Sequence, residues 1–265
     1  MIIFLREMKA NRKSLVIWSL SVIMMVFLGM VKFKSYQSAG QSMNNLLGDM
    51  PRSLKAILGF SVFDVSKASG FYAMFFLYLQ LMTTIHAVLL GAGIIAKEER
   101  DKTTEFLMTK PVSRNVIITS KLVAAIVNVV IINIVSLISS LAIVSAYSNG
   151  ERVSGDITKL MVGMLIAQLI FLSIGAGIAA ISKNSKTSGA FGAAILIGAL
   201  FVDKIIDVNK SLENLKYLSP LKYFDAEALL VGNGFEPVFI IISIVIIAAL
   251  TYLTYSCYNR RDLSI

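Results

Sequence analysis

Glu98 and Glu99 form the pair of carboxylates best placed for acid–base chemistry in this chain. A basic residue at position 103 would help to complete such a site, but that residue is Thr103, and no histidine follows it. Beside Arg100 and Lys102 the two acids read instead as part of a solvated, helix-prone stretch. His86 is the only histidine and Cys257 the only cysteine. No metal site and no internal disulfide are therefore expected. No glycine-rich run of the form GxxxxGK followed by Ser or Thr occurs, and neither GxSxG nor HExxH is present. No catalytic residue is expected, and no cofactor is expected to be bound by the chain itself.

The elements that position these charges are apolar. The 265 residues are 56% hydrophobic, with a mean hydropathy of +0.76, above the 45–50% of soluble domains. The excess comes in blocks of about twenty residues or more, each long enough to cross a hydrocarbon core of ~30 Å. The expected fold is all-α, a polytopic membrane protein forming one transmembrane domain over 1–265. Its six transmembrane helices are expected at about 14–33, 71–96, 116–147, 159–181, 187–206 and 237–258. Residues 1–13, with Arg6, Lys9, Arg12 and Lys13, read as an interfacial amphipathic helix. Residues 34–70 and 207–236 read as extracellular segments, and 97–115 as a cytosolic one. Six spans put both termini on one side. The termini and the 97–115 and 183–186 loops carry more than twice as many Lys and Arg as acids, whereas the other loops are nearly balanced. The positive-inside rule makes the first set, termini included, cytoplasmic. The formal charge of +9 then reflects basic loops facing anionic lipid, with no nucleic acid implied.

Polar residues at membrane depth tend to face a bundle interior or mark a pathway. Gln80, Thr83 and His86 are spaced by three along span 2. Asn133 and Ser136 share a face of span 3, and Gln168 lies in the middle of span 4. These six are candidates for the lining of a translocation route. Ordinary interhelical hydrogen bonding, at ~0.6 kcal/mol per pair, accounts for the same pattern. Spans 2, 3 and 4 hold no acid to serve a proton relay, and Asp203-Lys204 lies too near the end of span 5 to read as an ion site. Small residues such as Gly163 and Ala167, and Ala190, Ala194 and Gly198, suggest close packing of spans 4 and 5.

Between spans 2 and 3 the charges cluster. Lys97 with Asp101 and Glu98 with Lys102 are (i, i+4) pairs that support a helix. Phe106 and Leu107 supply an apolar anchor that a solvated turn would not need. Pro111 ends the helix and Ser113 is placed to cap the next one. The run Ala96-Lys97-Glu98-Glu99-Arg100, then Lys102-Thr103-Thr104-Glu105-Phe106-Leu107, then Thr109-Lys110-Pro111-Val112-Ser113-Arg114, with Lys121 beyond, resembles a segment of ABC type-2 permeases. These are the membrane subunits of ATP-binding-cassette exporters. The resemblance continues through Leu218-Ser219-Pro220-Leu221-Lys222-Tyr223-Phe224 and the ending Arg260-Arg261-Asp262-Leu263.

The resemblance implies that 97–115 is a coupling helix docking on a cytosolic ATP-binding-cassette ATPase subunit. Glu98, Glu99, Lys102, Thr104, Glu105, Phe106, Leu107, Pro111 and Arg114 would be its contact residues. It also implies a second permease, either a homodimer or a sister subunit, set in the lipid of a bacterial plasma membrane. ATP and its Mg are expected on the partner ATPase. The expected function is the permease part of an exporter, moving an amphipathic or hydrophobic cargo such as a toxic or antimicrobial peptide or an antibiotic. The alternative is a stand-alone membrane carrier, or an immunity protein that sequesters a toxic peptide without ATP.

Overall fold

The computed structural model describes residues 2–51, 53–55, 63–100, 112–182 and 187–260. Among these the chain is helical, without strands, and holds six helices long and apolar enough to cross a membrane. They are α1 (Ile2–Asp49), α2 (Ala68–Arg100), α3 (Arg114–Tyr147), α4 (Ser154–Ile181), α5 (Ser188–Val208) and α7 (Pro237–Arg260). Between α5 and α7 lie two 3₁₀ helices, Lys210–Leu218 and Lys222–Phe224, and the short α6 (Ala226–Leu230).

α1 runs unbroken from the basic start through residue 49, so residues 34–49, read from the sequence as the start of an extracellular segment, continue the first helix. No proline interrupts it before Pro51, and its core stripe, Val22, Val26, Met30 and Phe33, keeps helical spacing through Phe33. Ser113 caps α3, its side chain accepting from Val116 N–H. This satisfies one of the donors left open at a helix start.

α2 and α4 form the axis of the bundle, and two-thirds of each apolar window is buried. Two glycines bring their backbones together. A Cβ on Gly91 would lie 2.1 Å from the Leu172 carbonyl oxygen, and one on Gly175 would lie 2.1 Å from that of Val88. The closest backbone approach lies here rather than between α4 and α5, where Gly198 has open space at its Cβ position. α1, α5 and α7 are peripheral and keep most of their apolar surface outward, with Ile17, Leu20, Phe27, Phe201, Ile241 and Tyr252 exposed. Outward-facing apolar residues of this kind suit contact with lipid chains.

Phe4 and Met8 of α1 pack against the cluster that holds Tyr258 of α7, so both ends of the chain lie at one end of the bundle. At the other end the α5–α7 connection folds back onto α4. A Cβ on Gly163 would meet Leu229 Cδ1 at 2.6 Å and Phe224 Cβ at 3.0 Å. Gly163 is nine residues into α4, about 14 Å along the helix. Tyr223 stacks on Phe239 at 4.9 Å, and Phe224 and Leu229 are fully buried. The connection is a packed cap over one end of the bundle.

Candidate functional site

Polar and charged groups gather at both ends of the bundle. At the end that carries the termini they lie on the last turns of α2 and the first turns of α3, the two helices that residues 101–111 join in sequence. On the α2 side, Lys97 Nζ lies 3.4 Å from Glu7 Oε2. Glu7 is 0% exposed, and its other oxygen takes Arg6 at 2.9 Å. The last turns of α2 are thereby held against the first turns of α1. On the α3 side, Arg114 donates to the Asn259 carbonyl at 3.0 Å. Asn259 Nδ2 donates to Asn115 Oδ1 at 2.6 Å, and the Thr119 and Tyr255 hydroxyls share a hydrogen bond of 2.7 Å. The start of α3 is thereby held against the last turns of α7. Lys121, fully buried, joins α3 to α2 by donating to the Ile94 carbonyl at 2.6 Å.

Of the residues expected to couple, Glu99 lies half-buried in the last turn of α2, and Arg114 opens α3. Glu98 is in the same turn of α2, but its side chain lies outside the described residues. Lys102, Thr104, Glu105, Phe106, Leu107 and Pro111 also lie outside the described residues. Sequence reasoning passed over Glu7 and Asn259. Glu7 is one acid among four bases, and only the fold reveals that it is buried. A single acid in a basic amphipathic turn was the one signal available.

The six candidate lining residues are all buried within the chain. Thr83 Oγ1 donates to the Leu79 carbonyl at 2.9 Å, and Ser136 Oγ donates to that of Ile132 at 2.8 Å. Both return their polarity to their own helix, as hydroxyls in membrane helices commonly do. Asn133 Nδ2 joins α3 to α4, donating to the Met161 carbonyl at 3.0 Å and to Gln168 Oε1 at 3.3 Å. His86 packs its ring against Trp18 of α1, with centroids 5.2 Å apart. Asn133 and Gln168 are brought together, while Gln80 and His86 face different neighbours.

Gln80 borders a cleft at the capped end. The cleft lies between α2, α5 and the α5–α7 connection, and its charged walls are Asp203, Lys204, Asp207, Lys222, Asp225 and Glu227. Asp203 and Asp207 stand one turn apart on α5. Lys222 Nζ reaches Asp207 Oδ1 at 2.6 Å, Asp225 Oδ2 at 2.5 Å and Asp203 Oδ1 at 3.8 Å. Lys204 Nζ reaches Asp207 Oδ2 at 2.7 Å and Asp203 Oδ2 at 3.1 Å. Burial works against the charge of Lys222, but the carboxylates of Asp225, Asp203 and Asp207 outweigh it and hold the ammonium above the usual lysine range. Asp225 also caps α6 by accepting from Ala228 N–H at 2.7 Å.

Oxygens of Asp203, Asp207 and Asp225 lie within 4.8 Å of one another, a spacing that a metal ion could bridge. The lysine ammonium groups already stand between these oxygens. A metal would have to displace them, and the donor set does not favour one. In the sequence Asp203-Lys204 looked peripheral. Asp207 is one turn on, but Lys222 comes from the connection, and only the folded connection brings it back.

Across residues 1–263 the chain matches the model of a family described as ABC-2 family transporter protein. No curated protein matches it. The chain belongs to that family, and with six apolar spans it is a multi-pass membrane protein of a kind that fits the bacterial plasma membrane.

Proposed function

With membership of the ABC-2 transporter family as the premise, we propose that this chain is the membrane-spanning half of an ATP-driven exporter, worked by a separate cytosolic ATPase. The end that carries the termini is the basic end, and the positive-inside rule sets it in the cytosol. Residues 97–115 are then the docking segment, and ATP and its Mg belong to the partner subunit. One observation carries this reading most directly. The flanks of the segment are each tied to a different end of the chain, α2 to α1 through Glu7–Lys97 and α3 to α7 through Arg114–Asn259. A push on the segment therefore reaches four spans at once.

The cargo we favour is amphipathic or hydrophobic, in the class of toxic or antimicrobial peptides and antibiotics. The amphipathic connection that caps the bundle and the lack of acids within spans 2 to 4 support it. Two permeases, identical or sister chains, make the working unit. The outward apolar faces of α1, α5 and α7 leave ample surface for a second copy and for lipid.

Co-purification with an ATP-binding-cassette ATPase tests the reading. Replacing Phe106 and Leu107 by Asp is expected to abolish assembly or cargo-stimulated ATP hydrolysis while the permease still inserts. Unchanged assembly and unchanged stimulated hydrolysis would falsify the coupling role. Protection of cells from a toxic peptide by this chain alone, without any ATPase, would favour sequestration instead.

A further inference from the structure

The outward face of α1 changes character at one place. Val16, Leu20, Met24 and Phe27 are each about half exposed and recur at helical spacing, which makes them a lipid-facing stripe. Towards the start of the chain the same face continues as Lys13, Arg12 and Lys9, all three exposed. The uncharged residues 14–31 separate Lys13 from Lys32. At 1.5 Å per residue they span about 27 Å, close to the ~30 Å of a hydrocarbon core. Lys13 therefore marks one edge of the hydrocarbon, and Arg12 and Lys9 lie within the next turn or so, at the depth of the headgroups.

Lys9 with Arg12 and Lys9 with Lys13 are (i, i+3) and (i, i+4) neighbours, so the three like charges repel one another on the helix surface. Among the described residues none of the three has an ionic partner. Glu7 is the only acid before Asp49, and it turns inward, 0% exposed and engaged by Arg6 and Lys97. At the other edge of the stripe Lys32 and Lys34 are two residues apart and do not face each other. Of the two membrane edges of α1, the cations cluster at the one beside the termini.

We propose that Lys9, Arg12 and Lys13 form the headgroup site of one anionic phospholipid, whose acyl chains lie along the stripe from Val16 to Phe27. The phosphate sits among the three cations, relieves their repulsion and accepts charge-assisted hydrogen bonds from them. The stripe and the cations share one face and meet at the hydrocarbon edge, so the surface fits a lipid better than a soluble anion. This goes beyond a diffuse attraction of basic loops to a charged leaflet, because three side chains on one face hold one lipid. Glu7, on the opposite side of the same turns, ties α1 to Lys97, so the lipid steadies the helix against which the end of α2 rests. Binding needs neither ATP nor a partner subunit, and the site stands or falls apart from the export reading.

The purified full-length chain, in detergent with excess phosphatidylcholine, is titrated with phosphatidylglycerol, and bound lipid is counted by native mass spectrometry. At least one phosphatidylglycerol is expected to be held about tenfold or more tightly than phosphatidylcholine. The deciding variant moves charge without removing it, by Lys9→Gln with Ala10→Lys and Lys13→Gln with Ser14→Lys. Residues 10 and 14 are exposed, but a step of one residue turns each charge ~100° around the helix and off the stripe. Net charge is unchanged, so the positive-inside signal for insertion is kept. The affinity for phosphatidylglycerol should fall about tenfold or more. Lys32→Gln, at the other edge, should leave it unchanged.

All four altered positions are on the surface, so the relocated variant should melt with the parent chain in phosphatidylcholine alone. If it melts lower, Lys9→Gln alone decides in the same titration, with a loss of about fivefold expected. Millimolar inorganic phosphate should not displace the lipid. The proposal is overturned if phosphatidylglycerol and phosphatidylcholine are held equally, or if moving the charges leaves the affinity intact. It is equally overturned if inorganic phosphate displaces the lipid, which would make the three cations a site for free anions.

Discussion

The two ends of the bundle bury charge in opposite ways. At the end that carries the termini, single contacts are spread out, and each joins a different pair of helices: Glu7 with Lys97, Lys121 with the Ile94 carbonyl, Arg114 with that of Asn259. At the capped end, five charges are gathered in one knot between α5 and the connection that follows it, and both lysines are multiply bonded. Spread contacts can yield one at a time, so helices there can shift by small steps. A knot of buried ions can open only by exposing several unpaired charges together, which is costly. The capped end is therefore the stiff end of the molecule, and the end that carries the termini is the compliant one. The docking role proposed for 97–115 is consistent with flanks that lie at the compliant end.

The largest test of this contrast is Lys222→Ala. It leaves Asp207 and Asp225 without their central counter-charge in a poorly hydrated site, and the expected loss is ~3 kcal/mol of stability. A thermal melt of the purified permease should show a clear drop. The matching change at the other end is Lys97→Ala. Glu7 keeps Arg6 as a partner, and Lys97 is more exposed than Lys222, so ~1 kcal/mol is expected. Equal losses from the two substitutions would sink the contrast between the ends.

The axis that joins the two ends offers a second test. A methyl on Gly175 would press on the Val88 carbonyl at 2.1 Å, which only separation of α2 and α4 can relieve. Gly175→Ala is expected to cost ~1–3 kcal/mol. Gly175 lies towards the termini end of α4. Hydrogen exchange should therefore quicken first in the facing turns of α2 around Val88 and Ala92, with the amides of α6 still protected. Even loosening along the whole length of α2 would argue that the bundle is uniformly rigid.

Much of this architecture was legible in the sequence. Blocks of apolar residues mark the six spans, because a helix in lipid needs about twenty of them and little else. Ser113 reads as a cap, and it is one. The knot at the capped end was not legible, for a definite reason. Asp203 and Asp207 share a face of α5 by simple helical spacing, but Lys222 and Asp225 come to them only because the connection turns back in 3₁₀ helices and packs on Gly163. No period carries that information. The burial of Glu7 was hidden likewise, since its neutralising partner Lys97 is ninety residues away. Gln80, Thr83 and His86 do form a stripe on α2, but a stripe does not say what it faces. One end of it meets the cleft and the other meets Trp18.

The smallest expected effect concerns pH. Lys222 is held above the ordinary lysine range, because its carboxylate partners outweigh the burial that opposes its charge. A group whose folded-state value is raised contributes stability that is fully present below its unfolded value, ~10.4 for lysine. That contribution is lost only as pH rises towards the raised value. Between neutrality and pH ~10 the Lys222 contribution to the melting temperature should therefore stay flat. Above this range it should decline in the parent chain, and the decline should be smaller in Lys222→Met, which has no such proton to lose. The exposed Asn259–Asn115 hydrogen bond that helps to tie α3 to α7 carries no charge and should add no alkaline slope. An alkaline decline equally steep in Lys222→Met would place the titrating lysine elsewhere.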